Sequence, residues 1–167
     1  YSKLVPLVHT RAAFELRCGL LTPLERIIKH YPRVTITLFC RSYLSVVLQE
    51  RYPYRINDLH TEDDTCLFLN GRAILSPPIP TEGPEEIGIQ ENTLVYARLR
   101  GKNATKLSPE MFLTHNPIEL LKGTVQVINT HVPTINYFWD LVKLNMSQIE
   151  KDFALFVKEG SISGTLY

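Results

Sequence analysis

The chain has 167 residues, a formal net charge of +1, and hydrophobic and charged fractions of 44% and 21%. This length suits one domain with a sizeable core, and the near-neutral charge argues against a domain that neutralises many phosphates of DNA or RNA. No apolar run approaches the ~20 residues of a membrane span, and the first residues lack the basic end and apolar stretch of a signal peptide. We therefore expect a cytoplasmic protein with no nucleic-acid or membrane partner.

Helix and strand patterns alternate along the first half of the chain. The segment 23–30 predicts a helix, because Thr22 can cap it and a proline suits its first turn. Glu25 favours the positive end of the same helix. The β-branched and aromatic run at 34–39 predicts a strand, and the pattern at 42–49 predicts a second helix.

The apolar run at 66–69 carries a strong strand signal. Such runs are typical of strands buried on both faces, which parallel sheets supply. The run ends abruptly at Asn70-Gly71. Because open α/β sheets bind ligands beyond the carboxyl ends of their strands, this turn is a candidate ligand position.

Weaker patterns follow in the second half of the chain. Four prolines between positions 76 and 84 predict a surface loop. The remaining predicted elements are a strand at 93–98, short helices that begin at Ser108 and Asn116, a strand at 124–128, and a helical region at about 137–158 with a break near Asn145. Together these patterns predict an α/β layered fold with a mostly parallel sheet flanked by helices.

Three blocks of the sequence resemble one known family. The opening block, residues 4–22, reads Leu-Val-Pro-Leu-Val-His-Thr-Arg-Ala-Ala-Phe-Glu-Leu-Arg-Cys-Gly-Leu-Leu-Thr. The middle block, residues 67–72, reads Leu-Phe-Leu-Asn-Gly-Arg. The closing block reads Phe-Trp-Asp-Leu at 138–141, with Leu144-Asn145, Ile149 and Asp152-Phe153 after it. In this order the blocks resemble a bacterial sugar nucleotidyltransferase N-terminal domain, as found in bifunctional UDP-N-acetylglucosamine pyrophosphorylase and glucosamine-1-phosphate acetyltransferase proteins.

The resemblance covers about residues 3–156 and implies a domain organisation. It implies a Rossmann-like nucleotidyltransferase domain over residues 1–160, with residues 161–167 starting a linker to a downstream β-helix domain of the same protein. The first residue is not Met, and the family's usual first strand and loop would precede it. The implied partners are a nucleoside triphosphate, a sugar phosphate and the β-helix domain, with a homo-oligomer as an open alternative.

The family transfers a nucleotidyl group from a nucleoside triphosphate to a sugar 1-phosphate, as in the synthesis of UDP-N-acetylglucosamine. Such catalysis depends on positioning and on neutralising phosphate charge, and the resemblance implies Mg²⁺ as the cofactor. The match makes Arg11 and Lys3 the candidate catalytic residues, because both side chains bind phosphate oxygens. The alternative for both is a solvated surface pair.

The turn of the middle block supplies candidate substrate-binding residues: Asn70, Gly71 and Arg72. Arg72 stands where the family's enzymes usually place a metal-binding Asp; it cannot bind Mg²⁺, but it can bind phosphate directly. Asn70 either binds a sugar or base or only shapes the turn.

Three further candidates carry structural alternatives. Glu15 and Arg17 match the family's opening pattern as substrate-binding residues, and the alternative is that they hold the loop in place by ion pairs or hydrogen bonds. Asp140 is the candidate metal ligand, and the alternative is a helix cap.

Departures from the family pattern favour a second hypothesis. Ala12 replaces a proline, Ala13 lies near the usual position of a lysine, and Arg72 replaces the metal-binding Asp. The second hypothesis is a non-catalytic nucleotide-sugar-binding or scaffolding domain that supports a downstream acyltransferase.

Overall fold

The computed structural model describes residues 2–59, 65–108, 111 and 117–156. Among these residues, the helices are α1 (Pro23–His30), α2 (Ser45–Arg51), α3 (Gly101–Thr105), α4 (Pro117–Leu121) and α5 (Phe138–Phe156), with 3₁₀ turns at Ser2–Leu4, Ala13–Glu15 and Ser42–Leu44. The strands are β1 (Thr37–Leu38), β2 (Arg55–Ile56), β3 (Thr65–Leu69), β4 (Glu86–Gln90), β5 (Thr93–Arg100) and β6 (Gln126–Asn129). Helices and strands thus mix along the chain, which confirms the α/β class.

The described strands form a parallel pair, β1–β2, and a larger sheet in the order β3-β5-β4-β6. In the larger sheet β5 is antiparallel to both β3 and β4, and β6 is parallel to β4. The sheet is therefore mixed, and the prediction of a mostly parallel sheet is wrong for it. The physical reason is a tight turn at 91–92, where Glu91 has a φ of 56° and the chain reverses from β4 directly into β5. The Rossmann-like arrangement stays a prediction.

Local capping explains why α1 forms where it was predicted. The Thr22 Oγ1 accepts a hydrogen bond from the Glu25 N–H at 3.1 Å, and the Glu25 carboxylate accepts one from the Thr22 N–H at 2.7 Å. This reciprocal pair satisfies two of the backbone donors that the first helical turn leaves unpaired. The Thr22 cap and the Pro23 start are both confirmed.

Other predictions hold in part. The strand expected at 34–39 is reduced to β1, and the break expected near Asn145 is absent, because α5 is continuous. Strands β2 and β4 and helix α3 were not predicted. Three predictions lie wholly or partly outside the described residues: the helices that begin at Ser108 and at Asn116, and the linker at 161–167. Helix α4 begins directly after Asn116.

One hydrophobic cluster joins the opening and closing blocks of the resemblance to the segment that follows the middle block. Its buried members are Leu4, Val8, Leu16, Cys18, Ile74 and Ile135, with Leu141 and Leu144 of α5 packed against them. Full burial of each Leu, Ile or Val side chain contributes about 1.5–3 kcal/mol. The cluster therefore ties the opening loop to the segment after β3 and to α5.

A buried ion pair attaches α5 to α1. The Arg26 Nη2 lies 2.7 Å from both carboxylate oxygens of Asp152, and both side chains are 1% exposed. The Asp152 Oδ2 also accepts hydrogen bonds from the backbone N–H groups of Leu20 and Leu21, at 2.9 and 3.2 Å. The opening loop is thus held by the same carboxylate that binds α1.

Gly19 allows this close approach of loop and helix. Its φ is +85°, and a Cβ at this position would lie 2.5 Å from the Asp152 Oδ2. Its N–H donates to the Asn145 side chain at 2.9 Å.

None of the helices in the described ranges combines the length and the apolar composition needed to cross a membrane.

Candidate functional site

Two cavities contact the sequence-predicted site residues. The first, which we call the arginine cavity, has a volume of about 280 Å³. Its walls come from the opening loop and from helices α1 and α2, and they consist of Arg11, Glu15, Arg17, Thr22, Leu24, Glu25, Ile28, Arg51 and Tyr52. Three arginines and two carboxylates therefore surround one space.

Both carboxylates of the arginine cavity already have cationic partners. Glu15 accepts hydrogen bonds from the Arg51 guanidinium, the Tyr52 hydroxyl at 3.2 Å and the Ala12 N–H at 2.8 Å. The Arg17 Nη2 lies 3.3 Å from the Glu25 carboxylate. Glu15 and Arg17 thus hold the loop through separate partners, which is the structural alternative raised for them, and their substrate-binding role stays a prediction.

The ion pairs of the arginine cavity shift the pKa values of Glu25 and Arg51. Burial alone would raise the pKa of Glu25, but hydrogen bonds from Thr22 and the nearby Arg17 guanidinium lower that pKa below the usual glutamate value. The hydrogen bond to Glu15 raises the pKa of Arg51 above the usual arginine value. Both groups therefore keep their charges at neutral pH.

Arg11 is the cation of this cavity whose side chain has no partner within the described ranges. The backbone around it is anchored instead: Arg41 donates to the Val8 and Arg11 carbonyls, and the Tyr43 hydroxyl donates to the His9 carbonyl at 3.0 Å. The Arg11 side chain is exposed. An anchored backbone with an unpaired guanidinium is suited to contact an anion that enters the cavity.

The second cavity, which we call the loop–helix cavity, has a volume of about 340 Å³. It lies between the segment before α5 and the first turns of that helix, and its walls are Pro133, Thr134, Asn136, Tyr137, Asp140, Lys143 and Leu144. Lys3 reaches it through a 2.9 Å hydrogen bond from its Nζ to the Tyr137 hydroxyl, and Arg72 through a 2.9 Å bond from its Nη1 to the Asn136 side chain. The two candidate catalytic residues are therefore separated, since Arg11 lines the arginine cavity and Lys3 bonds to a wall residue of the loop–helix cavity.

Asp140 caps α5. Its Oδ2 accepts hydrogen bonds from the backbone N–H groups of Asn136 and Tyr137, at 2.9 and 2.8 Å. Its Oδ1 has no partner in the part of the chain that the structure describes. That same part contains no group of three His, Cys, Asp or Glu residues arranged to hold a metal ion. The cap alternative is therefore realised, and the metal role stays a prediction.

The turn after β3 is shaped by its own side chains. The Asn70 Oδ1 accepts from the Arg72 N–H at 3.0 Å, and the Asn70 amide donates to the Leu94 carbonyl at 2.7 Å. A Cβ at Gly71 would lie 3.2 Å from the Phe14 side chain. Burial lowers the pKa of Arg72. The observed role of Asn70 is thus turn geometry, whereas Arg72 points its guanidinium to the wall of the loop–helix cavity.

Sequence reasoning missed several residues of both cavities. Arg51 fell just outside the helix predicted at 42–49, so its place beside Glu15 was not expected. The loop–helix cavity is also lined by Asn136, Tyr137 and Lys143, none of which is a matching residue of the three blocks. The feature of the sequence that could have pointed to them is their position next to the closing block.

The comparisons with known proteins agree with the sequence blocks. A family model described as sugar nucleotidyl transferase matches residues 1–161. No curated protein and no solved structure matches the chain. Since the family model covers nearly the whole chain, this protein belongs to the sugar nucleotidyl transferase family.

Proposed function

We propose that this chain binds a nucleoside triphosphate and a sugar 1-phosphate and transfers the nucleotidyl group between them, in the synthesis of a sugar nucleotide of the UDP-N-acetylglucosamine type. Family membership supports nucleotidyl transfer in general. The observation that carries the proposal is the Arg11 guanidinium at the wall of the arginine cavity, which has no side-chain partner among the described residues. Phosphate is the common anionic group of both reactants.

The arginine cavity is the better candidate for phosphate binding. Arg17 and Arg51 have side chains that are 57% and 50% exposed, so an arriving phosphate can share them with their carboxylate partners. At the edge of the loop–helix cavity, Lys3 and Arg72 each donate to a neutral wall side chain, which a phosphate would have to displace. We therefore assign the first phosphate contact to Arg11 and a secondary role to Lys3 and Arg72.

The reaction needs little acid–base chemistry from the protein. An oxygen of the sugar phosphate forms a bond to the α-phosphorus, the bond from that phosphorus to the bridging oxygen breaks, and pyrophosphate leaves. The attacking oxygen is already anionic, so no general base has to remove a proton. The protein's contribution is to orient the two phosphates and to offset their charge.

Mg²⁺ is the cofactor that the family implies. Mg²⁺ often binds one or two protein carboxylates together with substrate phosphates. Asp140 fits this pattern, since it lines the loop–helix cavity and its Oδ1 has no partner in the described ranges. When bound, the ion would neutralise charge on the phosphates.

The test is isothermal titration of the chain with UTP, dTTP and UDP-N-acetylglucosamine, each with and without Mg²⁺. Loss of a charge-assisted hydrogen bond costs about 1.5–3 kcal/mol, so Arg11→Ala should weaken nucleotide binding by roughly tenfold to a hundredfold. Arg33→Ala is the matched control, because Arg33 is exposed and lines neither cavity. Unchanged affinity in a folded Arg11→Ala variant would contradict the assignment of this site.

A non-catalytic binding or scaffolding domain is the second candidate. It is favoured by Arg72, which occupies the family's metal-binding position and is already bonded to Asn136. The same titration separates the two candidates when it is joined to a pyrophosphate-release assay. Binding with turnover supports the transferase, and binding without turnover supports the scaffold.

A further inference from the structure

Helix α5 carries an apolar stripe that stays partly exposed among the described residues, although the Lys29 Nζ lies 4.1 Å from the centre of the Phe156 ring and the Tyr137 ring stacks on Trp139. The stripe lies beside the face that packs on the core, and its side chains are between 38% and 77% exposed. Its members are Trp139, Val142, Met146, Ile149, Phe153 and Phe156. The opposite, solvent-facing side of the helix is polar, with Lys143, Ser147, Glu150 and Lys151.

The spacing of the stripe is that of a helix–helix seam. Its members are separated alternately by three and four residues over the full length of the helix. A repeat of this kind keeps apolar side chains on one line, where a second helix can pack knobs into holes. The core-facing residues of α5, such as Leu144, Gln148 and Asp152, follow a different line. The stripe therefore is not a by-product of packing within the domain.

We propose that the apolar stripe of α5 binds the same stripe of a second copy of this chain, with the two helices antiparallel. A two-fold axis that crosses the helix between residues 147 and 148 pairs Met146 with Ile149 of the second copy. The same axis pairs Val142 with Phe153 and Trp139 with Phe156. All six members are used, and the interface is self-complementary, as a two-fold dimer requires.

The charges beside the stripe fit the same register. Residues in equivalent flanking positions face each other in antiparallel coiled coils. The flanking residues here are Lys143 and Glu150, which have opposite charges and are both exposed. In the proposed register Lys143 lies two positions, roughly 3 Å along the helix, from the level of Glu150 of the second copy, which the two long side chains can span, and symmetry forms this pair twice. In a parallel pairing this flank would face the other flank of the partner helix, so Lys143 and Glu150 would not meet.

The area of the stripe matches a weak dimer. From the exposed fractions of these six side chains, the stripe offers roughly 600 Å² per copy. Stable complexes bury about 800 Å² per partner, so this interface lies at the lower end of the range. We expect a dissociation constant in the micromolar range.

The experiment is sedimentation velocity of the full chain from about 1 to 200 µM, a range that brackets a micromolar dissociation constant. The wild-type chain should shift from monomer to dimer with concentration. Met146→Glu should raise the dissociation constant by about a hundredfold, because it places like charges in a desolvated seam. The side chain is 76% exposed in the monomer, so the fold should survive, which circular dichroism checks. Ser147→Glu, one residue away on the polar side, is the matched control and should still form dimers.

A charge exchange tests the register. Lys143→Glu and Glu150→Lys should each weaken the dimer by roughly twofold to tenfold, and the double variant should recover the wild-type constant. A wild-type chain that stays monomeric throughout overturns the proposal and leaves the stripe to a different partner. A dimer that Met146→Glu leaves intact places the interface elsewhere, and a double variant that does not recover excludes the antiparallel register.

Discussion

The junction of α1 with α5 and the arginine cavity both contain arginine–carboxylate pairs, but they use them differently. At the junction, Arg26 and Asp152 are each 1% exposed and share two short contacts. In the cavity, Arg51 and Arg17 are about half exposed. A buried pair cannot lose one partner without leaving an unpaired charge away from water, whereas an exposed arginine can exchange its partner for a ligand. Arg26 is therefore structural, and the cavity arginines are available for binding.

The largest expected effect comes from breaking the buried pair. Asp152→Asn keeps the size of the side chain but leaves Arg26 buried without a counter-charge, so the free energy of unfolding should fall by about 3–5 kcal/mol. Urea denaturation measures the change. Asp58→Asn is the control, since Asp58 is exposed and should contribute less than about 0.5 kcal/mol. A small effect at Asp152 would mean that the junction does not depend on its ion pair.

A second prediction concerns the close approach at the same junction. Gly19 and Gly123 have nearly equal φ values, +85° and +84°, but a Cβ at Gly123 would meet nothing within 4 Å. Gly123→Ala should cost about 1–2 kcal/mol from backbone strain alone. Gly19→Ala should cost about 2 kcal/mol more, because its methyl group would overlap Asp152. Equal losses in thermal or urea unfolding would show that the loop can move away from α5.

A substitution in the arginine cavity should change the free energy of unfolding less than one at the junction, and it should change ligand binding more. Arg51→Ala removes one partner of Glu15, whose side chain is 6% exposed but keeps the Ala12 N–H and the Tyr52 hydroxyl. We expect a loss of about 1–2 kcal/mol in unfolding free energy together with weaker UTP binding. Arg33→Ala should change neither quantity. A loss as large as that of Asp152→Asn would place Arg51 among the structural arginines.

The smallest effect is a pH dependence at Glu25. Because the pKa of Glu25 is lowered in the folded chain, its contribution is present above the unfolded pKa of about 4.5 and is lost as pH falls through the folded value. Glu25→Gln should therefore flatten the pH dependence of unfolding below pH 4.5 and leave its slope at neutral pH unchanged. Urea midpoints at a series of pH values provide the measurement. A slope that stays unchanged below pH 4.5 would contradict the lowered pKa.

Features that depend on neighbouring residues were predictable from the sequence. Helix α1 was predicted because Thr22, Pro23 and Glu25 act within one turn of each other. Strand β4 was missed because its residues depend on distant partners: the Glu86 carboxylate accepts from Tyr96 and Arg98 of β5. Gly88 lies against the Tyr96 ring, where a side chain would collide. No local pattern reveals these contacts.

Local sequence patterns also fail to reveal the long-range contacts of the candidate site. The family match placed Arg11 and Lys3 together, but their three-dimensional partners separate them into two cavities. Asn145 was expected to lie at a break in α5. Its side chain instead accepts from the Gly19 N–H, which lies 126 residues away in the sequence. Long-range partners of this kind decide which polar residues are structural.

The shared carboxylate of Asp152 has a consequence for cooperativity. One side chain binds the guanidinium of α1 and two backbone groups of the opening loop, so these three segments should open together as one unit in hydrogen exchange. Thr22 and Glu25 of the arginine cavity belong to that unit. Undocking of α5 would therefore dismantle a wall of the cavity, and a ligand bound there should in turn protect the backbone amides of a helix that it never contacts.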